Sequence, residues 1–388
     1  MARLSEIRPA WIEVDLDAIS SNASLISSMV GDRTAVMAVV KANGYGHGAV
    51  EVAGASLEGG ASWLGVAVLS EGVELRRAGI RAPVLILGYT PDEQAQEVVE
   101  NGLSQAVWTP SGVEALVRAE DRVGKPALIH LKIDTGMARV GARAGEELEA
   151  LIRTLNELGR RRVAGTFTHF AAADTDPGYT EHQFATFMSV VRRIGDAGID
   201  PGVLHCCNSA GLLRYPEYRL DMVRPGIALY GYPPCPAKGF RIGLSLYARL
   251  SHVKAIEAGT TVGYGCAYTA PRDIVVGTVP AGYADGYSRH LSNRGEVGVW
   301  GRRIPVVGRV CMDQFMVDAT AVPSLKAGDT VSLIAGNGGP TAEEIADSVG
   351  TIVNDVLTGL SARLPRVYRK AGRLYTVDRE GDRIPMEE

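Results

Sequence analysis

The sequence predicts an α/β protein: an N-terminal (β/α)8 TIM-type barrel followed by a mainly β C-terminal domain. Three observations predict it. The first two-thirds of the 388 residues alternates short β-branched runs with helix-period segments. Those runs are near-continuously apolar, as strands covered on both faces must be. After about Leu244 the texture changes to alternating stretches punctuated by Gly, Pro and Asp.

The apolar runs come in order at Ala35–Val40, Trp63–Val68, Val84–Leu87, Gln105–Trp108, Ala127–Ile133, Val163–Thr168, Val203–Cys206 and Asp221–Arg224. Helix-period segments follow most of them, such as Gly112–Ala119, Glu146–Leu158 and Glu181–Ala197. Eight such units in roughly 220–250 residues is what a (β/α)8 barrel requires. A doubly wound open sheet is the alternative, but no G-x-G-x-x-G opens the first unit. Beyond the barrel, Ala248–Ile256, Ile274–Pro280, Gly298–Val307 and Thr330–Ala335 read as strands, with one helical segment at Ala342–Leu360. The boundary falls near Gly239–Ser245, dividing the chain into residues 1–243 and 244–388. Trp11–Asp15 could pair with either domain.

Composition narrows the function. Apolar residues make up 46% of the chain, enough for a sizeable core. A net charge of -4 with both signs mixed argues against a nucleic-acid partner, which would call for a basic stripe. No segment is apolar for long enough to span a bilayer, and Met1–Glu6 has no apolar core of a secretory signal. Five cysteines without metal-ligand spacing point to free thiols in a reducing cytoplasm and to no metal site.

In such a barrel the chemistry lies at the C-terminal strand ends. The first run ends at Lys41, in Val39-Val40-Lys41-Ala42-Asn43-Gly44-Tyr45. An amine at a low-dielectric barrel mouth has a depressed pKa, which suits a Schiff-base nucleophile. A lysine that merely snorkels at the rim has the same sequence signature. The later ends supply Lys132 and Arg139, His169, Asn208 and Ser209, then Arg224, Gly226 and Ile227. Such barrels usually bind phosphate on their last two loops. The Ser209 hydroxyl, the close backbone approach at Gly226 and the phenol of Tyr45 would form a phosphate seat. A phosphate seat facing a strand-end lysine suits pyridoxal phosphate.

These motifs resemble the alanine racemase family of fold-type III pyridoxal-phosphate enzymes. The matching stretches are Val-Val-Lys41-Ala-Asn-Gly-Tyr45-Gly-His-Gly, Lys132-Ile-Asp-Thr-Gly-Met-Ala-Arg139, Thr-His169-Phe, Asn208-Ser209, Arg224-Pro-Gly226-Ile227, Val-Gly-Tyr264-Gly, Gly-Tyr283-Ala-Asp-Gly and Cys311-Met312-Asp313-Gln314. They span nearly the whole chain. The resemblance implies interconversion of L- and D-alanine, supplying D-alanine for peptidoglycan, by a cytoplasmic homodimer with shared active sites. It implies that Lys41 carries the cofactor and serves as one proton-transfer base, with Tyr264 of the partner subunit as the other. It gives Tyr45, Asn208, Ser209, Gly226 and Ile227 to the cofactor, most of them at the phosphate, His169 to the pyridine ring and Arg224 to its nitrogen. Arg139 and the Met312 backbone would meet the substrate carboxylate, Tyr283 would stand at the entrance, and Lys132 would be carbamylated.

Elementary chemistry supports this allocation. Inverting a stereocentre needs a base on each face of a planar carbanion. Lysine and tyrosine at their ordinary pKa of about 10 are poor bases at neutral pH, so the site must retune them. His47 and His205 read as structural. Two positions depart from the family pattern. Ala138 stands where many relatives have Gly. Ala362, in Leu-Ser-Ala362-Arg-Leu-Pro-Arg, stands where some members have a Tyr that reaches the phosphate and entrance, which bears on substrate preference. Alternatives are a racemase of broader or different specificity, for example for serine, and a non-catalytic pyridoxal-phosphate carrier. Tyr264 and Met312 in the second domain count against the carrier. A related decarboxylase would place a carboxylate, not Arg224, at the pyridine nitrogen.

Overall fold

The computed structural model describes residues 2–160, 162–336, 338–378 and 381–387. The chain divides into two compact units. One comprises Ala18–Gly44 and Ala49–Arg241; the other comprises the opening residues through Asp17, Tyr45–Gly48 and the chain from Ile242 onward.

The first unit is the expected barrel. Its eight parallel strands are Ala35–Val39, Trp63–Val66, Val84–Ile86, Ser104–Val107, Leu128–Asp134, Gly165–Phe167, Val203–His205 and Met222–Val223. They pair in chain order, and the eighth returns to the first in the register Val223 to Val36. The seam between seventh and eighth is bridged by Asp221 N–H donating to Leu204 O at 3.1 Å and Arg224 N–H donating to Cys207 O at 2.9 Å. Inside, Met37, Leu85, Ala106, Phe167 and Met222 from five strands pack together, so the barrel is filled. Helix boundaries follow local chemistry. Pro110–Val123 starts after Thr109, whose hydroxyl accepts Gly112 N–H, and stops at Gly124 in a left-handed cap. Pro177–Asp196 starts after Asp176, which accepts Tyr179 N–H.

The second unit is mainly β. Ala10–Asp15 runs antiparallel to Leu244–Arg249, with Trp11 opposite Tyr247, and parallel to Arg366–Lys370. The opening strand therefore lies in the β unit, and a single cut at 243/244 does not describe the two units. The cause is packing: Trp11 sits in one apolar cluster with Val367, Leu374 and Met386.

Three stretches differ from their sequence reading. Ala248–Ile256 contains the end of one strand, Leu244–Arg249, and all of another, His252–Ile256, because the chain turns at Leu250 and Ser251. Gly298–Val307 is part of a hairpin, Glu296–Val299 against Arg302–Val307, turning at Trp300 and Gly301, both at positive φ. Ala342–Leu360 is two helices, Ala342–Val349 and Val353–Thr358, because Gly350 at φ +76° ends the first in a left-handed cap. No helix of the described residues is long and apolar enough to cross a membrane.

Candidate active site

Lys41 follows the first barrel strand, half-buried. Burial, and then the charge of Arg139, lower its pKa, while Glu71 opposes them. The backbone just beyond is unusual. Ala42, Asn43, Gly44 and Tyr45 lie at φ +52°, +52°, +60° and +51°, a left-handed helical turn. Such a conformation costs about 1–2 kcal/mol per residue that bears a Cβ, so the surroundings must impose it. Gly44 N–H donates to Val40 O at 2.8 Å, which closes the turn. Ala42 N–H donates to Glu71 Oε1 at 2.6 Å, and Ala49 N–H donates to Asn43 Oδ1 at 3.0 Å. Tyr45 is buried, which pushes its phenol up to about 12, so it stays a neutral donor.

The ends of the fifth to eighth strands supply a dense cationic cluster. Arg224 is buried, and its Nη2 donates to Thr168 O at 2.8 Å and to Cys206 O at 3.2 Å. Nη1 lies 2.9 Å from His205 Nδ1, and Nη2 lies 3.3 Å from His169 Nδ1. A guanidinium can only donate, so both histidines present an unprotonated Nδ1 to it. His205 then carries its hydrogen on Nε2, 3.1 Å from His130 Nδ1. His130 is left holding its own on Nε2, which has no partner among the described residues. Burial first, and Arg224 next, hold all three imidazoles neutral, His130 down to about 3. Burial also brings Arg224 itself down to about 10. Lys132 donates to Ile133 O at 2.9 Å and lies over the Phe167 ring, as Arg224 does. Burial and then Arg224 bring its amine to about 7, against the pull of Asp134.

Ser209 and Asn208 work at the seventh strand end. Asn208 Oδ1 caps Ser209–Arg214 by accepting Gly211 N–H at 2.9 Å. Ser209 Oγ gathers the N–H groups of Gly226 at 3.0 Å and Ala228 at 3.3 Å. Hydroxyl and amides thus converge where an oxyanion can replace one acceptor. With Lys41, Lys132, Arg139 and Arg224 in the same unit, this donor set fits a phosphorylated cofactor such as pyridoxal phosphate. The sequence reading left His205 structural, yet it touches Arg224 directly.

In the β unit, Tyr264 is 72% exposed, in a turn where Gly263 and Gly265 have positive φ, so it is not a packing aromatic. Met312 and Tyr283 are exposed at 53% and 42%. Their loops are joined: Tyr283 N–H donates to Cys311 O and Ala284 N–H to Met312 O, each at 3.0 Å. A Cβ on Gly282 would meet Cys311 O at 2.3 Å, so only glycine allows that approach. Asp285, fully buried, receives both Arg8 Nη groups at 2.6 and 2.8 Å, Arg363 Nε at 2.9 Å and Gly282 N–H at 3.0 Å. Arg363 reaches on to Asp313 at 2.6 Å. Glu71 and Asp285 were not singled out from the sequence; only the motif around Asp285 held a signal. Ala362 is exposed.

Comparison with known proteins agrees with these features. Residues 14–234 match the family "Alanine racemase, N-terminal domain", and residues 243–368 match "Alanine racemase, C-terminal domain". The chain is 45% identical over 366 residues to the alanine racemase of Desulforamulus reducens, covering 93% of this chain and 99% of that one. It is 45% identical over 373 residues to that of Symbiobacterium thermophilum, covering 94% and 98%. Among solved structures, the Bacillus anthracis alanine racemase with bound L-Ala-P superposes with a TM-score of 0.89 at 35% identity, covering 98% of each chain. The Bartonella henselae enzyme, with covalently bound pyridoxal phosphate, gives 0.84 at 29% identity, covering 94% of this chain and 100% of that one. With both domains matched in order and relatives aligned nearly end to end, the chain belongs to the alanine racemase family, whose members are isomerases.

Proposed function

We propose that this chain interconverts L- and D-alanine with pyridoxal phosphate held on Lys41, supplying D-alanine for peptidoglycan in the cytoplasm. The observation that carries the reading is the placement of half-buried Lys41 at the end of the first barrel strand, in the same barrel mouth as the Ser209–Gly226–Ala228 donor set. When bound, the cofactor acidifies the substrate's α-hydrogen by delocalising negative charge. Lys41, whose pKa burial and Arg139 lower, takes or returns that hydrogen on one face. Tyr264, exposed and contributed by the partner subunit of a homodimer, serves the opposite face. Tyr45, Ser209, Gly226 and Ile227 seat the phosphate, and Asn208 holds the Ser209 helix in place. Arg224 would hold the cofactor by donating to its pyridine nitrogen, and even at about 10 the guanidinium keeps its proton near neutral pH. His169, held neutral, lies beside the ring. Arg139 and the Met312 backbone orient the substrate carboxylate, and Tyr283 stands at the entrance. Lys132 is carbamylated.

Purified chain is incubated with L-alanine and a panel of other L-amino acids, and D-enantiomers are measured by chiral chromatography. D-alanine should dominate. Borohydride should fix the cofactor on the peptide containing Lys41; labelling of a different lysine overturns the assignment. Ala362 favours a second reading of broader specificity, since its methyl leaves room a tyrosine would fill. D-serine formed as fast as D-alanine would establish that reading.

A further inference from the structure

We infer that Glu71 is a positioning residue for Lys41: its carboxylate fixes the Lys41–Ala42 peptide and sets the charge environment of the amine. The inference rests on Lys41 being the cofactor lysine. Glu71 is the third residue of the helix Leu69–Arg77, where a glutamate ordinarily reaches back to the capping residue's N–H. That bond, to Val68 N–H, is its longest at 3.3 Å. The short ones go elsewhere: Oε2 accepts Ala67 N–H at 2.7 Å, and Oε1 accepts Ala42 N–H at 2.6 Å. The carboxylate thus ties the end of the second barrel strand to the end of the first, and capping alone does not call for that.

What it holds is strained. Three of the four left-handed residues after Lys41 carry a Cβ, and such a turn persists only where its surroundings over-determine it. Its restraints include its own closing bond, Gly44 N–H to Val40 O, the bond from Ala49 N–H at the start of the helix Ala49–Glu58 to Asn43 Oδ1, and His47 Nδ1 at 2.9 Å from Tyr45 O. Glu71 adds a restraint from the end of the second barrel strand, and it is charge-assisted, the stronger kind. It acts at the residue next to Lys41.

The same carboxylate acts on the amine. Among the described residues, the charges that bear on Lys41 are Arg139, beyond the fifth strand, and Glu71, beyond the second; His169, beyond the sixth, is neutral. Burial and Arg139 both disfavour the ammonium, and Glu71 opposes them. Without Glu71 the amine would fall further and become a weaker base for the substrate's hydrogen.

The test uses the full-length chain stripped of cofactor with hydroxylamine and shown to regain it. Lys41 is titrated by competitive acetylation across pH, read by peptide mass spectrometry. Cofactor affinity is measured by fluorescence. Glu71→Gln keeps the shape but faces amide hydrogens toward N–H donors. It should lower the Lys41 midpoint by about half a pH unit or more and weaken cofactor binding about tenfold. Glu74→Gln, one turn on, should change neither. If Glu71→Gln lowers only the melting temperature, with midpoint and affinity unchanged, Glu71 is a helix cap and the inference is overturned. Should that variant fail to fold, Ala42→Gly is added to relieve the turn. The midpoint is then compared with Ala42→Gly alone, and the same lowering is expected. Borohydride trapping separates the two claims. Cofactor fixed on Lys41 with an unmoved midpoint sinks the role of Glu71, whereas cofactor on another lysine sinks the assignment of Lys41.

Discussion

Ala138 adopts φ +55°, with its N–H donating to Asp134 Oδ1 at 3.1 Å, in the loop that carries Arg139. A Cβ in this region costs about 1–2 kcal/mol, and glycine's extra freedom when unfolded returns about half of that. Ala138→Gly should therefore stabilise the chain by about 0.5–1 kcal/mol in urea unfolding; a loss of stability would mean that the Ala138 methyl packs favourably. Lys132 is the second residue-scale case. Carbamate forms only from the neutral amine, and burial with Arg224 brings this amine to about 7. Modification is thus favoured above that pH and fails as pH falls through it, because the ammonium takes over. Carbon-13 bicarbonate should give a carbamate NMR signal at pH 8 that fades by pH 6 and is missing in Lys132→Ala. An unmodified ammonium at pH 8 with bicarbonate present would refute it. Lys41, Ser209 and Arg224 were legible as strand-end residues, because barrel geometry sends strand ends to one face. Glu71 was not, since it works through backbone N–H groups, which leave no trace in residue type. His205 was read as structural, and its contact with Arg224 joins two strands adjacent only in three dimensions.

The loops that present Tyr283 and Met312 depend on one buried carboxylate. Asp285 carries two arginines and the Gly282 amide, and through Arg363 it is linked to Asp313 beside Met312. Breaking a buried pair by removing one partner is severe, about 3–5 kcal/mol when both are dry. Arg8 and Arg363 keep part of their side chains in solvent, at 25% and 43%, so the loss is discounted to about 2 kcal/mol. Asp285→Asn should lower the urea midpoint accordingly and raise KM for alanine more than it lowers kcat, since the loop proposed to meet the substrate carboxylate loosens. Unchanged KM with reduced stability would limit Asp285 to folding. Helix ends were not legible from periodicity alone: the segment read as Gly112–Ala119 runs Pro110–Val123, between the Thr109 cap and Gly124. Boundaries were also misread where two short elements share one pattern. Gly350 divides what reads as a single helix, because a glycine inside a helical period also occurs in unbroken helices.

At the scale of the whole molecule, the barrel was legible because its strands pair in chain order, so local apolar runs carry the topology. The β unit was harder. Ala10–Asp15 pairs with strands that begin at Leu244 and Arg366, and no local pattern announces partners so distant. The division also places the two proposed bases in different units: Lys41 in the barrel, Tyr264 in the β unit. Tyr264, Met312 and Tyr283 are all largely exposed in this single chain. A contiguous exposed apolar patch commonly marks a surface that another chain completes, and the joined Tyr283 and Met312 loops expose two such side chains together. A two-fold dimer would then give each barrel the β-unit residues of its partner. Chains carrying Lys41→Ala and chains carrying Tyr264→Phe should each be nearly inactive alone. Mixed, unfolded and refolded together, half would form heterodimers, each with one intact site and one doubly defective site. Recovery of about a quarter of the parent activity per chain is expected for random pairing of a two-fold dimer. If heterodimers are demonstrated by differential tagging and no activity returns, both bases lie in one chain and the shared site is wrong. If activity returns without dimers, complementation has another origin and the proposal fails equally. Sedimentation of the mixture at assay concentration separates these outcomes, because shared sites require activity to rise and fall with the heterodimer fraction.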